Sequence, residues 1–202
     1  QILLQRALAM ACNNEDCNEP VAGDNYGARL GVILGELAKV GRDKVTLVTS
    51  PGIASFGDWV EQLIAESTGK EGKGILPVVG EPVGVPDIYG DDRIFVYVKL
   101  DGDDTFDAAV DKIEAAGYPL VLIRLRDIYD LGGQFFLWEM ATAIACSRLG
   151  INPFDQPNVE AAKVLARELV AEYQKGGHLP ELTPAIQSNG IKVYTDLQES
   201  GV

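Results

Sequence analysis

The chain has 202 residues, 47% of them apolar and 23% charged, which suits one globular domain with a sizeable core and an additional segment. A net charge of −13 argues against nucleic acid or an anionic membrane surface as partner, yet leaves room for a phosphorylated substrate in a locally positive pocket. No apolar run reaches the roughly 18 residues of a membrane span, and the N-terminus does not read as a signal peptide.

Three cysteines, Cys12, Cys17 and Cys146, are too few for a disulfide framework. The single histidine, His178, supplies no second ligand pair for a zinc site with Cys12 and Cys17. No metal is expected, and reduced thiols in the cytoplasm are the expectation. The chain starts without Met in the apolar stretch ILLQRALAMA and stops at Glu199-Ser200-Gly201-Val202, which reads as a piece of a longer protein.

Residues 3–12 read as the tail of a helix, followed by the polar loop NNEDCNEPVAGDN. Leu30, Ile33, Leu34 and Leu37 predict an amphipathic helix from Tyr26 to Val40, stopped by Gly41. Val45–Val48 is β-rich and ends in the turn Ser50-Pro51-Gly52. The spacing of Phe56, Trp59, Val60, Leu63 and Ile64 marks the apolar stripe of a helix that Ser67-Thr68-Gly69 ends. Gln62 and Glu66, four apart, share a face beside that stripe. A carboxylate in the last turn of a helix lies near the negative pole of its dipole, a placement that favours the protonated form and suits a proton-carrying base. Many ordinary helices end the same way.

After STGKEGKG, which reads as mobile, Ile75–Val79 predicts a second strand and Pro82, Gly84 and Pro86 a loop. Ile94–Val98 is a third strand, Phe106 to Ile113 a helix ending at Gly117, and Leu120–Ile123 a fourth strand. Leu131 to Leu149 is a long apolar helix in which Glu139 is expected to be a partnered structural acid. Pro157 opens the last long helix, with Val159, Ala162, Ala166, Leu169, Val170 and Tyr173 on one side, and one short strand is expected at Ile191–Tyr194. Near-continuous apolar strands alternating with helices predict a three-layer α/β/α sandwich with a mostly parallel sheet. Ligands of such sheets bind at the carboxyl ends of the strands, here loops 49–54, 80–93, 100–104 and 126–131.

Several motifs fail. STGKEGKG lacks the G-x-x-x-x-G-K-[ST] order of a phosphate loop, and no G-x-G-x-x-G or G-x-S-x-G appears. The acidic loop DGDD, residues 101–104, reads as a solvated helix start, with contact to a cation as the alternative.

Three stretches carry a family resemblance. GINPFDQPNVEAAK, residues 150–163, resembles the C-terminal motif of phosphoglucose isomerases, in which Asn-x-Phe-Asp-Gln precedes Val-Glu-x-x-Lys. AESTGK, residues 65–70, resembles their Glu-Ser-x-Gly-Lys segment, and Gly80-Glu81-Pro82 their Gly-Glu-Pro loop. Their order and Tyr129-Asp130-Leu131-Gly132 before a long helix also fit. GRDK, ESTGKEGKGI, YGDDR and LGINPFDQP look most like the isomerase part of bifunctional transaldolase/phosphoglucose isomerases.

The resemblance implies a flavodoxin-like sugar-isomerase (SIS) domain over residues 26–175, after an N-terminal helix remnant and linker (1–25) and before a tail (176–202). It implies interconversion of glucose 6-phosphate and fructose 6-phosphate, in which a positioned base moves a proton between adjacent carbons through an enediol. Carried residue by residue, it makes Glu66 the base and Lys163 a catalytic lysine assisting ring opening and stabilising developing negative charge. Gln62, Gln156, Glu81 and Thr68 become substrate-binding. Neither metal nor redox cofactor is implied. The implied partners are a sugar phosphate, an upstream SIS domain, a transaldolase domain in the fused members, and further copies of the full-length chain.

Two departures stand out. Residues 83–93, VGVPDIYGDDR, lack the histidine that the family places after Gly-Glu-Pro, leaving Asp87, Tyr89, Asp91 or a neighbouring subunit to replace it. The upstream SIS domain with its phosphate cradle is not in these residues. A non-catalytic sugar-phosphate-binding or regulatory SIS domain is the alternative reading. On spacing alone Lys163 is a snorkelling lysine, Gln156 a helix cap and Glu81 a loop brace.

Overall fold

A computed structural model describes residues 1–15, 25–179 and 182–195. The chain forms two compact units, 1–156 and 157–202. The first is organised by a parallel sheet of β1 (Lys44–Thr49), β2 (Leu76–Val79), β3 (Arg93–Leu100) and β4 (Leu120–Leu125), in the order β2-β1-β3-β4. β1 and β3 are buried along nearly their whole length, because helices or loops cover both faces.

Side chains alternate across the strands, so each face has its own core. On one face Val45, Leu47, Ile94, Val96 and Val98 join a cluster with α2 (Tyr26–Lys39), α3 (Ala54–Thr68) and α5 (Leu131–Leu149). On the other, Val48 and Tyr97 pack with Val110, and Phe95 with Ile113, both of α4 (Asp107–Ala115). The loop after β2 adds Val83 and Tyr89 to that side. This is the three-layer α/β/α sandwich read from the alternating pattern.

Two close helix contacts fix the layer that carries the site. Gly27, Gly31 and Gly35 lie one turn apart on α2, and a Cβ at Gly31 would come within 2.4 Å of the Ala141 carbonyl oxygen on α5. Only glycine lets the two backbones approach so far. The first turn of α2 is held by asparagines: the side chains of Asn13, Asn14 and Asn25 accept from the backbone N–H groups of Tyr26, Gly27 and Ala28 at 3.0, 2.7 and 2.9 Å. α1 (Ile2–Asn13) packs on α5 in the same unit, where Gly132 makes room for the Leu3 carbonyl.

Two local readings are corrected, at Glu139 and in the second unit. Glu139 is solvent-exposed on α5 and is not a buried partnered acid. The STGKEGKG segment contains a tight turn in which Lys70 and Lys73 exchange backbone hydrogen bonds at 3.2 and 2.9 Å, with Glu71 and Gly72 at positive φ. In the second unit, α6 (Pro157–Gly176) is followed by a hairpin of β5 (Ile186–Ser188) and β6 (Ile191–Val193), where one strand was expected. Asn189-Gly190, both at positive φ, is the turn signal that the single-strand reading passed over.

Candidate functional site

α3 leaves the carboxyl end of β1 and runs back along the sheet, so its last turn lies beside the start of β2, at the amino edge. Thr68 fixes that junction. It is fully buried, and its hydroxyl accepts from the Ile75 N–H at 2.9 Å and reaches the Ile75 carbonyl at 3.3 Å. α5 returns from the carboxyl end of β4 in the same way and ends at Gly150, whose left-handed φ of 68° turns the chain out of the helix.

The turn at residues 70–73 joins the two helix ends. Lys73 Nζ donates to the Leu149 carbonyl at 2.9 Å, satisfying an end carbonyl of α5. Lys70, only 5% exposed, donates to the Asn152 carbonyl at 2.7 Å, to the Asp155 carbonyl, and to the Asp155 carboxylate at 3.0 Å. Asn152 tightens the loop further, its Oδ1 accepting from the Phe154 N–H at 3.0 Å. Lys70 is thus a latch between α3 and loop 151–156, and neither lysine serves a phosphate cradle.

The latch brings together residues 90 apart in sequence. Gln62 Nε2 donates to Glu66 Oε1 at 3.1 Å and Gln156 Nε2 to Oε2 at 3.3 Å. Each carboxylate oxygen therefore accepts one amide N–H, and all three side chains are open to solvent. An oriented, accessible carboxylate between two neutral amides has free lone pairs to take a proton, while each amide keeps a second N–H for a ligand hydroxyl.

The other expected site residues lie elsewhere. The Thr68 hydroxyl is engaged inside the fold and does not open onto the Glu66 surface. Glu81 follows β2 on the opposite face of the sheet, where its Oε2 accepts from Arg93 at 2.9 Å, and Arg93 also donates to Thr46 at 2.7 Å. That ion pair braces the loop over Tyr89. Lys163 is exposed on α6 of the second unit. Of the candidates to replace the histidine, Asp87 and Asp91 are exposed, while Tyr89 is buried with its hydroxyl accepting from the Gly84 N–H at 2.8 Å.

The carboxyl edge, where the sheet topology directs ligands, is instead closed upon itself. Ser50 Oγ accepts from the Leu100 N–H at 3.0 Å. Lys99, 6% exposed, donates to Asp104 at 2.6 Å and Asp107 at 2.5 Å, and the Tyr97 hydroxyl donates to Asp107 at 3.0 Å. The hydrogen bonds to Asp104 and Asp107 raise the Lys99 pKa, and that to Lys99 lowers the Asp107 pKa. Burial, aided by Asp107, pushes the Tyr97 phenol up to about 12. The cation facing the acidic loop is thus the chain's own lysine.

Among the described residues no group of three or more His, Cys, Asp or Glu side chains is arranged to hold a metal. Burial raises the Cys146 thiol, which lies 3.5 Å from the Ser67 carbonyl, so it is a packing group. Cys12 is exposed, and Cys17 lies outside the described residues. Sequence reasoning missed the Lys70 latch. Lys70 stands in a recognisable motif, but its partners lie 82 and 85 residues downstream, beyond any local signal.

No family model matches the chain. Curated relatives do. The chain is 24% identical to the glucose-6-phosphate isomerase of Enterococcus faecalis, over 69% of this chain and 40% of that protein. It is 25% identical to the glucose-6-phosphate isomerase of Bacillus cereus, over 76% and 43% respectively. Its identity to the probable glucose-6-phosphate isomerase of Methanococcus maripaludis is 32%, over 63% and 37%. The chain spans about two fifths of the length of the curated relatives it matches. Among solved structures, its fold is similar to that of a hypothetical protein from Thermus thermophilus, with a TM-score of 0.69 at 18% identity, over 84% of this chain and 50% of that one. No described helix is long and apolar enough to cross a membrane.

Proposed function

We propose that this chain carries the proton-transfer half of a sugar-phosphate isomerase site, with glucose 6-phosphate and fructose 6-phosphate as the substrate pair. The observation that carries the reading is the meeting of Gln62, Glu66 and Gln156, because two of the stretches that resemble phosphoglucose isomerases supply Glu66 and Gln156, and Gln62 stands one helical turn before Glu66. The similarity to curated glucose-6-phosphate isomerases supports the choice of reaction.

In the proposed reaction Glu66 removes the proton from C2 of the open-chain aldose. The C2–H electron pair becomes a C1–C2 double bond and the aldehyde oxygen takes up the negative charge. A proton passes from O2 to O1 through the enediol, and as the C2 carbonyl forms the same carboxyl returns its proton to C1, which gives the ketose. Gln62 and Gln156 aim the carboxylate and contact sugar hydroxyls, which keeps its path short on both carbons. Lys163 assists ring opening and stabilises the negative charge that develops on oxygen. Lys70 is a positioning residue that holds Gln156 on Glu66. Glu81 acts only through the loop it braces, and Thr68 only through the end of α3.

The remaining expectations join this reading. The longer polypeptide brings an upstream SIS domain with the phosphate-binding loop, a transaldolase domain in a fused protein, and a homo-oligomeric cytoplasmic enzyme. The 202 residues then hold only part of the proposed site. Titration of the longer polypeptide with fructose 6-phosphate, with turnover to glucose 6-phosphate followed in parallel, tests the proposal. Binding together with turnover is expected; saturable binding with no turnover would replace it with a regulatory sugar-phosphate-binding domain.

A further inference from the structure

Loop 151–156 carries Gln156 to Glu66, and its path is held from outside as well as from within. The end of α5 is closed by its own backbone: the Ile151 N–H donates to the Cys146 carbonyl at 3.0 Å and the Gly150 N–H to the Ser147 carbonyl at 3.2 Å. The carbonyls that follow answer to side chains instead. Lys73 Nζ donates to the Leu149 oxygen at 2.9 Å and reaches that of Gly150 at 3.5 Å, while Lys70 Nζ donates to those of Asn152 and Asp155. Lys73 therefore grips the entry of the loop and Lys70 its exit.

Both lysines belong to one turn. Its backbone is closed by the paired Lys70–Lys73 hydrogen bonds, and it follows directly on Thr68, whose hydroxyl is bonded to both polar backbone groups of Ile75. The turn is thus fixed to the end of α3, the helix that carries Gln62 and Glu66. Lys73 is exposed and forms no ion pair among the described residues, although acidic side chains outnumber basic ones by 30 to 17. An ammonium near the carboxyl end of a helix is favourable in itself, but a helix cap needs no link to α3. What the link adds is a fixed span between the helix that holds the carboxylate and the loop that holds its amide partner.

We infer that Lys73 is a further positioning residue of the site, which sets the reach of Gln156 to Glu66 by fastening the entry of loop 151–156 to the end of α3. A loop fastened only at Lys70 pivots about that point, and Gln156 then loses the single geometry on which a short proton path depends. The family resemblance does not supply this residue, because the Glu-Ser-x-Gly-Lys segment ends at Lys70. The effect on turnover rests on the isomerase reading; the effect on the Gln156–Glu66 contact does not.

The test compares Lys73→Met, which removes the donor, with Lys73→Arg, which keeps one. In the 202-residue chain, heteronuclear NMR follows the side-chain amides of Gln62 and Gln156 as the pH is lowered to protonate Glu66. Both amides should respond in the unaltered chain. In Lys73→Met the Gln62 response should remain, while that of Gln156 falls at least about twofold and returns in Lys73→Arg. In the longer polypeptide Lys73→Met should lower isomerase kcat at least about fivefold with KM little changed, and Lys73→Arg should restore it. An undiminished Gln156 response in Lys73→Met would overturn the inference and leave Lys73 a helix cap. A lost response with kcat unchanged in the active enzyme would overturn it too. Failure of the isomerase reading shows separately, as full turnover by Glu66→Gln or none by the unaltered polypeptide, and the amide signals then still decide whether Lys73 holds the contact.

Discussion

At the carboxyl edge of the sheet the polar groups are turned upon one another: Lys99 is committed to Asp104 and Asp107, Tyr97 to Asp107, and Ser50 to the Leu100 amide. At the amino edge the groups are equally well placed, but the final layer is open. Lys70 is buried and fully used, whereas Gln62, Glu66 and Gln156, which it helps to assemble, face water. The same fold thus holds one polar network whose lysine and tyrosine are already engaged and one that is ordered beneath and free above. Position relative to the strands is therefore a weaker guide to function than whether the polar groups already have partners.

The contrast predicts that carboxyl-edge changes act on stability and amino-edge changes on the proposed activity. Lys99→Met should cause the largest loss of stability in the series, because it removes the charged donor shared by Asp104 and Asp107. Urea unfolding of the 202-residue chain measures this, and a midpoint equal to that of the unaltered chain would show the network to be decorative. Next in size, Lys70→Met should cost about 2–3 kcal/mol, since two backbone carbonyls lose a charged donor. In the longer polypeptide it should also lower isomerase kcat more than KM, because Gln156 is no longer held on Glu66.

A pH series separates the edges in another way. The lowered Asp107 pKa contributes stability that is present above the ordinary carboxylate value of roughly 3.9 and is lost as pH falls through the lower folded value. The raised Lys99 pKa contributes stability that is full below roughly 10.4 and is lost as pH rises through the folded value. Tyr97, pushed up to about 12, ionises first in the unfolded chain, so stability also falls between the ordinary tyrosine value of roughly 10 and that point. Urea midpoints should therefore decline above about pH 10, and Lys99→Met should flatten the alkaline decline. The smallest effect is expected at Glu71, a non-glycine residue with φ of 55° in the 70–73 turn. Glu71→Asn should stabilise the chain by several tenths of a kcal/mol, read as a small rise in thermal midpoint, because asparagine tolerates the left-handed region better.

Much of this organisation was legible in the chain itself. The four apolar runs and the spacing of Phe56, Val60 and Ile64 specify strands and a helix through local periodicity, and the three-layer sandwich follows. Gln62 and Glu66 were readable as a pair because a helix puts residues four apart on one face. The Glu66–Gln156 contact came only through resemblance, since no periodicity links positions 90 apart. Helices after parallel strands return to the amino edge, so a base in the last turn of α3 lies away from the carboxyl-end loops where ligands of such sheets are expected. The closure of the carboxyl edge was hidden for a related reason. Asp104 belongs to the acidic loop read as a solvated helix start, and only the fold brings it and Asp107 onto Lys99.

The claim that Glu66 moves the proton is tested most directly by solvent exchange. Glucose 6-phosphate is incubated in deuterated water with the longer polypeptide, unaltered or with Glu66→Gln, and deuterium entry at C2 is followed by proton NMR. The account predicts that Glu66→Gln, with an unchanged circular dichroism spectrum, lowers both exchange and isomerisation by at least about a hundredfold. Exchange at the unaltered rate in the folded Glu66→Gln protein would contradict it.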